Sequence, residues 1–472
     1  MVTFEELGED IVLLILTSCD VSTVLIVGEV NRALRVWSLR KQLWISLVEE
    51  LVSRNLVDIP HGKPLVDHSV PDLIALVKRI VLGPATWLES DSGPSLTQEI
   101  QVSHPCLSTD SMELLSGGRY IFVGRRDDCL ELWDIYAATA IWQMPIPRYP
   151  IRAIEMLDGG HTAVVCVVVR GKISIIHVCL NTGNSTELAQ IQLQAQLRVD
   201  GQMISLCGDF VALTVTWVFT ANPDFSMKRF VLLVDWRQRT YILIRYSVPE
   251  TSIGGFFPSV SFPCGHIICN VDPDSIFIYA LADLKGLWQP INSMNPDNCF
   301  DCRFSGIKPV VFEQINNLPI QGQVENLWNP VFVLYRSPLR HDSYKLLIYH
   351  AGLTQDHSKT SIFEVLLSFR FRVSDSGRRR IMEGWERTSA TRAGAVIHHS
   401  ARRPISYAGY RTDWSLHKTM VSNLRRPSPD IASDEMPRFA LEMDRDSGLA
   451  ISGYSHACLH KRDSTLFVSY YL

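Results

Sequence analysis

At 472 residues, with 46% hydrophobic and 20% charged content, the chain has the composition of folded globular material, long enough for a large core and more than one domain. A formal net charge of -4 leaves no basic footprint for nucleic acid or an anionic membrane surface, so neither is an expected partner. The acidic N-terminus lacks the basic start of a secretory signal, and the longest apolar runs, Ile11 to Leu16 and Ala163 to Val169, are too short to cross a bilayer. The expected location is therefore the cytoplasm, the nucleus or both. The 11 cysteines are an odd number, scattered and placed mostly in apolar segments such as those around Cys166, Cys179 and Cys207. That is how buried thiols are used in a reducing compartment, not how a disulfide framework is laid out.

In chain order, Glu9 and Asp10 stand at a helix start, where acidic groups favour the positive end of the macrodipole. The six apolar residues Ile11 to Leu16 follow with no polar face, and such a helix must be covered on two sides. Asp20 or Ser22 can cap a second helix carrying Val24, Leu25, Val27 and Val30 at three- and four-residue spacing. Leu43, Trp44, Leu47, Val48 and Leu51 repeat the pattern on a third. Three such helices leave more apolar surface than a free monomer carries, which points to a protein partner. The plainer alternative is a small helical subdomain packed on the rest of the chain. Ser69 and Asp72 have capping-box spacing with Pro71 in the first turn, and Leu73, Ile74, Leu76, Val77, Ile80 and Val81 follow before Gly83 and Pro84 stop the helix.

Leu7, Asp10, Ile11, Ile15, Leu16, Asp20, Leu25, Val30, Leu43 and Trp44 closely match the pattern of an F-box. That family typically opens on Leu-Pro-x-Glu, turns between helices at an acidic residue and closes on a Leu-Trp pair, and residues 7 to 44 resemble it. The segment departs from the family at Gly8, where Pro is usual, at Val24 for Leu and at Leu34 for Trp. Gly8 lacks the fixed φ of proline, so a looser turn is expected there. The resemblance implies docking to a Skp-type adaptor, and through it to a cullin, by Leu7, Ile11, Ile15, Leu25, Val30, Leu43 and Trp44. The block from Ser53 to Trp87 is similar to the continuation found in many fungal F-box proteins and is expected to act as a helical stalk. The expected division is 1–48 F-box, 49–90 helical linker and 91–472 β-domain.

Beyond about residue 90 the periodicity changes from helical to alternating. Residues 117 to 134 read as two strands joined by a polar turn at Arg125 to Asp128, and Leu130 to Asp134 resembles the strand that closes a WD-repeat blade. Further hairpins are expected at His161 to Val178, Phe210 to Ile244, Gly265 to Leu281, Pro330 to His350 with Ser361 to Val373, and Gly448 to Tyr454 with Ser464 to Tyr471. Strand pairs recurring at roughly 40 to 50 residues suggest a β-propeller of about seven blades, with two packed β-domains as the alternative. Residues 382 to 438, which contain RRPSPDIASDEMPR, read as a long loop between late blades.

No signature of the common nucleotide, dinucleotide, zinc-protease or serine-hydrolase sites occurs in the sequence. Cys299 and Cys302 form a lone CxxC without a second pair at finger spacing, and His456, Cys458 and His460, alternating as on a strand face, lack a fourth ligand nearby. Neither is taken as a metal site, and no cofactor or catalytic residue is expected. Trp217 and Phe219, at strand spacing, read as core. The overall expectation is an α+β multidomain chain, with a three-helix F-box and helical linker before an all-β propeller. As the resemblance implies, it would be the non-catalytic substrate-recognition subunit of an SCF-type, cullin-based ubiquitin ligase, holding a target protein on the propeller. The alternative of another class is a propeller-fold hydrolase or lyase with an accessory helical segment.

Overall fold

The computed structural model describes residues 7–471 apart from a set of connecting segments, of which 83–95, 103–110, 219–226, 247–259, 315–322, 410–418 and 422–448 are the longest. Five α-helices come first: α1 (Glu9–Thr17), α2 (Val21–Val30), α3 (Arg32–Ser38), α4 (Lys41–Ser53) and α5 (Val70–Leu82). Four helices thus lie between residues 9 and 53, where the apolar spacing alone predicts three. Asn31 makes the difference. Its backbone is extended (φ -155°, ψ 174°) and its side chain accepts the Leu34 N–H at 2.8 Å, so it ends α2 and caps α3. Asp20 does the same for α2 through the Thr23 N–H at 2.7 Å, and Ser69 and Asp72 form the reciprocal capping box of α5, with bonds of 3.0 and 3.3 Å.

The helices share one core built from Val12, Leu16, Val24, Leu34, Leu43, Trp44, Leu47, Leu51, Leu73 and Val77 among others. The boundary expected at residue 48 falls inside α4, and α5 packs on α4. Leu43, Trp44, Leu47, Val48 and Leu51 of α4 and Leu73 and Val77 of α5 thus contribute to this one core. Gly28 allows α2 and α3 to approach, because a Cβ there would run into the Ser38 hydroxyl.

Among the described residues the strands form seven antiparallel-built sheets. The first joins Ser111–Leu114, Tyr120–Arg125, Cys129–Asp134 and Thr139–Pro145, and the second Ile151–Leu157, Thr162–Val169, Lys172–Cys179 and Ser185–Gln192. The third is built on Leu197–Cys207, Phe210–Val218, Met227–Asp235 and Thr240–Arg245, and the fourth on Val260–Ser261, His266–Asp272, Ser275–Ala280 and Val311–Gln314. In the fifth, Gln323–Leu327 and Val331–Arg336 both pair with Ser343–Asp356, which leads on to Lys359–Asp375 and Arg380–Arg392. The sixth joins Val396–His399, Pro404–Gly409 and Thr419–Val421. The seventh takes Leu449–Ile451, Ala457–Arg462 and Thr465–Tyr471 from the end of the chain and Leu96–Val102 from the start of the β-region, with Leu96 opposite Tyr471.

Alternation along single strands explains how these sheets stack. In Thr162–Val169, Ala163, Val165 and Val167 enter a core shared with the first sheet, whereas Val164, Cys166 and Val168 enter one shared with the third. In Met227–Asp235, Phe230, Leu232 and Val234 face the second sheet and Val231 and Leu233 the fourth. In His266–Asp272, Ile267 and Cys269 meet the third sheet and Ile268 the fifth. Because both faces are buried, the middle strands read as continuous apolar runs, not as the half-polar alternation of a one-faced sheet. The first strands of the second, third and fourth sheets also touch in succession. The result is a propeller-like all-β region, with consecutive cores linking the seventh sheet through the first to the fifth.

The stretch 382–438, expected as loop, contains strand to residue 392 and again at Val396–His399, Pro404–Gly409 and Thr419–Val421. Cross-strand pairing overrides its polar composition: Arg372 stands opposite Glu383 and Val373 opposite the buried Met382. The segment RRPSPDIASDEMPR lies outside the described residues, as do the turn at 126–128, Gly83, Pro84, Phe219 and His456.

A turn recurs at the far end of three sheets. Asp134 precedes a turn whose fourth residue, Ala138, has φ 52°, and Asp235 precedes one in which Arg239, likewise the fourth, has φ 55°. Asp134 Oδ1 accepts the N–H groups of Tyr136 and Ala137 at 3.0 and 3.3 Å, and Asp235 Oδ1 accepts that of Gln238 at 2.8 Å. In the second sheet Cys179 takes the aspartate's place and Gly183 (φ 72°) that of the positive-φ residue. The Thr182 hydroxyl, and then the N–H groups of Thr182 and Asn181, point at the Cys179 sulfur and hold its thiol below the usual cysteine value.

Candidate docking surface

The helices bury one side and expose the other. Val12 and Leu16 of α1 are in the core, which leaves Ile11, Leu14 and Ile15, one turn apart, on the outer face, with Leu14 70% exposed. On α2, Val21 and Val24 are buried and Leu25, Ile26 and Val30 are not, with Val30 67% exposed. Val36 of α3 and Leu39 just after it are exposed as well, and α3 packs on both α1 and α2. Eight of the thirteen exposed large apolar side chains among the described residues thus fall between residues 11 and 39. A concentration of that kind, unlike single exposed apolar residues, makes this region the candidate docking surface.

Of the seven residues expected at an adaptor interface, Ile11, Ile15, Leu25 and Val30 stand on this outer face. Leu7 is half-buried against the helical core. Leu43 and Trp44 are 1% and 2% exposed, and the indole N–H of Trp44 donates to the Ser38 carbonyl at 2.8 Å. Both belong to the helical core, and the Trp44 bond ties α4 to the last residue of α3. Leu14, Ile26, Val36 and Leu39 complete the face and follow from no family position. A helical wheel that puts Val12 and Leu16 inward does find Leu14, which lies about 200° from Val12. Gly8 precedes α1 with φ -56° and offers no side-chain cap, and a Cβ there would meet nothing within 4 Å. Its backbone already has the φ of a proline. Glu9 is held from the other side by Arg40 at 2.6 Å and 3.0 Å, which ties the start of α1 to that of α4.

The helical unit meets the β-region through α4 and the start of α2. Arg54, at the C-terminus of α4, donates to the carbonyls of Ser337 and Arg340 at 2.8 and 3.5 Å, and Glu50 lies 3.4 Å from His341 Nε2. The turn at Asp158–Gly160 meets α4, with Gly159 against Val52. All eight exposed apolar side chains keep their exposure with the β-region in place.

No group of three or more metal-ligating side chains that could hold an ion occurs among the described residues. Cys299 packs against the core between the second and third sheets and Cys302 against that between the third and fourth, so the two diverge. Cys458 and His460 lie on the strand Ala457–Arg462, opposite Ser469 and Phe467. Trp217 is buried in the core between the second and third sheets. Cys19, Cys129, Cys166, Cys179, Cys207, Cys269, Cys299 and Cys302 carry free thiols; Cys166 is fully buried, and burial raises its thiol far above the usual value. No helix among the described residues is long and apolar enough to cross a membrane.

No protein-family model matches the chain, and no curated protein matches it in sequence. Solved structures similar to it include the β-propeller domain of Cps50 (Swd1) from Myceliophteria thermophila, at 9% identity and TM-score 0.37, covering 79% of this chain and 99% of that one. BamB from Moraxella catarrhalis is similar at 11% identity and TM-score 0.32, over 80% and 99% of the two chains. Drosophila Plexin A, in its complex with Semaphorin 1b, is similar at 9% identity and TM-score 0.28, over 80% and 87%. The propeller-like architecture rests on the sheet order and shared cores of this chain itself.

Proposed function

We propose that this chain is the substrate-recognition subunit of an SCF-type, cullin-based ubiquitin ligase, with a seven-bladed propeller formed by the seven sheets. The outer face of α1 to α3 docks on a Skp-type adaptor, and the β-region holds a target protein on its loops. The chain performs no bond chemistry of its own. It raises the effective concentration of target lysines near a ubiquitin-loaded enzyme that the partners supply, in the cytoplasm or nucleus. The observation that carries this reading is the outward apolar face of Ile11, Leu14, Ile15, Leu25, Ile26 and Val30, on a segment with the residue pattern of an F-box. Leu43 and Trp44 contribute by packing, and the four exposed family positions by contact.

The test is the doubly substituted chain Ile15→Asp with Leu25→Asp. Both side chains are exposed, so the helices should keep their far-ultraviolet circular dichroism, while two carboxylates buried against an apolar partner surface should abolish co-purification with a Skp-type adaptor. Undiminished co-purification, or none with the unsubstituted chain, would sink the proposal.

A further inference from the structure

The loop 337–342, between strands Val331–Arg336 and Ser343–Asp356 of the fifth sheet, reaches across and becomes part of the helical unit. Leu339, partly buried, packs its side chain against the helical core. Its carbonyl accepts the Ser22 N–H at 3.0 Å, one of the first-turn donors of α2 that has no partner inside the helix. Arg54, the residue that ends α4, donates to two more carbonyls of the same loop. The loop thus satisfies a first-turn donor of α2 and anchors the residue that ends α4. It is itself pre-shaped: the Ser337 hydroxyl accepts the N–H groups of Leu339 and Arg340 at 3.2 and 3.3 Å. Ser337 N–H bonds to Ser343 O and Val373 N–H to Asp342 O, both at 2.8 Å, which anchors the loop in the fifth sheet.

We propose that this loop makes the outer face of α1 to α3 conditional on the folded fifth sheet: Leu339 and Arg54 are positioning residues that keep α2 and α4 in place, so docking by the helices reports that the β-region is folded. The part about docking rests on the function proposed above; the structural coupling does not. The groups facing Arg54 are Glu50, at 3.5 Å on α4 itself, and the loop carbonyls. His341 faces the same Glu50 carboxylate from the loop.

The experiment uses the full chain with Leu339→Ala, Arg54→Ala and the conservative Leu339→Met, followed by hydrogen–deuterium exchange and by titration with a purified Skp-type adaptor. Amides of α2 and α4 in the first two variants should exchange on the order of tenfold faster, because local opening becomes easier when a packed leucine or a terminal anchor is lost. Amides of Ser343–Asp356 should be unchanged, and Leu339→Met should restore protection. Adaptor affinity should fall several-fold in the alanine variants, although no residue of the outer face has been altered. Unchanged exchange in α2 and α4 overturns the coupling, as would equal acceleration throughout the fifth sheet, which would mean general unfolding. If the unsubstituted chain fails to bind the adaptor, the proposed function fails while the exchange arm still decides the coupling.

Discussion

The helical unit and the β-region solve the same problem in opposite ways. Thr162–Val169 and Met227–Asp235 send alternate side chains into two different cores, so each sheet is covered by its neighbours. α1 and α2 are nearly as apolar yet cover only one side, and Leu14, Ile26 and Val30 stay in water. A sheet that buries both faces needs nothing further. A helix that buries one face of an all-apolar stretch leaves the other in water, and the difference sets α1 to α3 apart from these doubly covered sheets.

Substitutions on the two sides should separate most widely. Phe230, fully buried between the second and third sheets, should cost about 3 to 5 kcal/mol when changed to Ala, whereas Leu14→Gln should stay within about 0.5 kcal/mol. Urea denaturation of both variants checks this, and a large loss for Leu14→Gln would show that the α1 face is packed and not free.

A smaller effect is expected at Lys345, opposite Arg370 in the fifth sheet. Burial, and then the Arg370 guanidinium, pull its ammonium down to about 7 from the usual 10.5. Between those values the unfolded chain binds a proton that the folded chain does not, so this group makes stability rise with pH across the window, and its penalty is complete below about 7. Lys345→Met should therefore stabilise by on the order of 1 to 3 kcal/mol at pH 7 and progressively less towards pH 10. Urea midpoints at several pH values read this directly, and a gain that grew with pH would contradict it.

The smallest effect concerns the recurrent turn. Cys179→Asp places a carboxylate where the first and third sheets already have one, among the N–H donors of Asn181 and Thr182. It should leave the melting temperature unchanged or raise it, by the equivalent of up to about 1 kcal/mol. A clear loss would show that the second sheet's turn is not equivalent to the other two.

Much of this was legible in the residues, for identifiable reasons. Hairpins such as 162–179 announce themselves because a doubly buried strand has to be apolar throughout. The capping box of Ser69 and Asp72 is local chemistry, readable without any fold. Asn31 does not announce itself, because a lone asparagine inside an apolar pattern looks like a surface position until its side chain is seen on Leu34 N–H. The strand Arg380–Arg392 was missed because its partners, not its own propensity, hold it. The recurrence of Asp134 and Asp235, each five residues before a Thr, was available in the sequence, although with Cys179 in the third copy it hides from a search for aspartate. Leu339 could not have been found at all. It lies far along the chain from α2, and only the fold brings the two together.

The pairing of Leu96–Val102 with Thr465–Tyr471 has a consequence for biosynthesis. The strand that opens the β-region must wait for its partner until Thr465–Tyr471 has left the ribosome, on the order of half a minute after its own emergence at ordinary elongation rates. During that interval α1 to α3 are already outside with their apolar face uncovered, and the edge of the seventh sheet has no neighbour. Nascent chains of this protein should therefore depend on chaperones, and a premature stop anywhere before Thr465 would leave the edge of Leu96–Val102 without the partner it pairs with and open to aggregation.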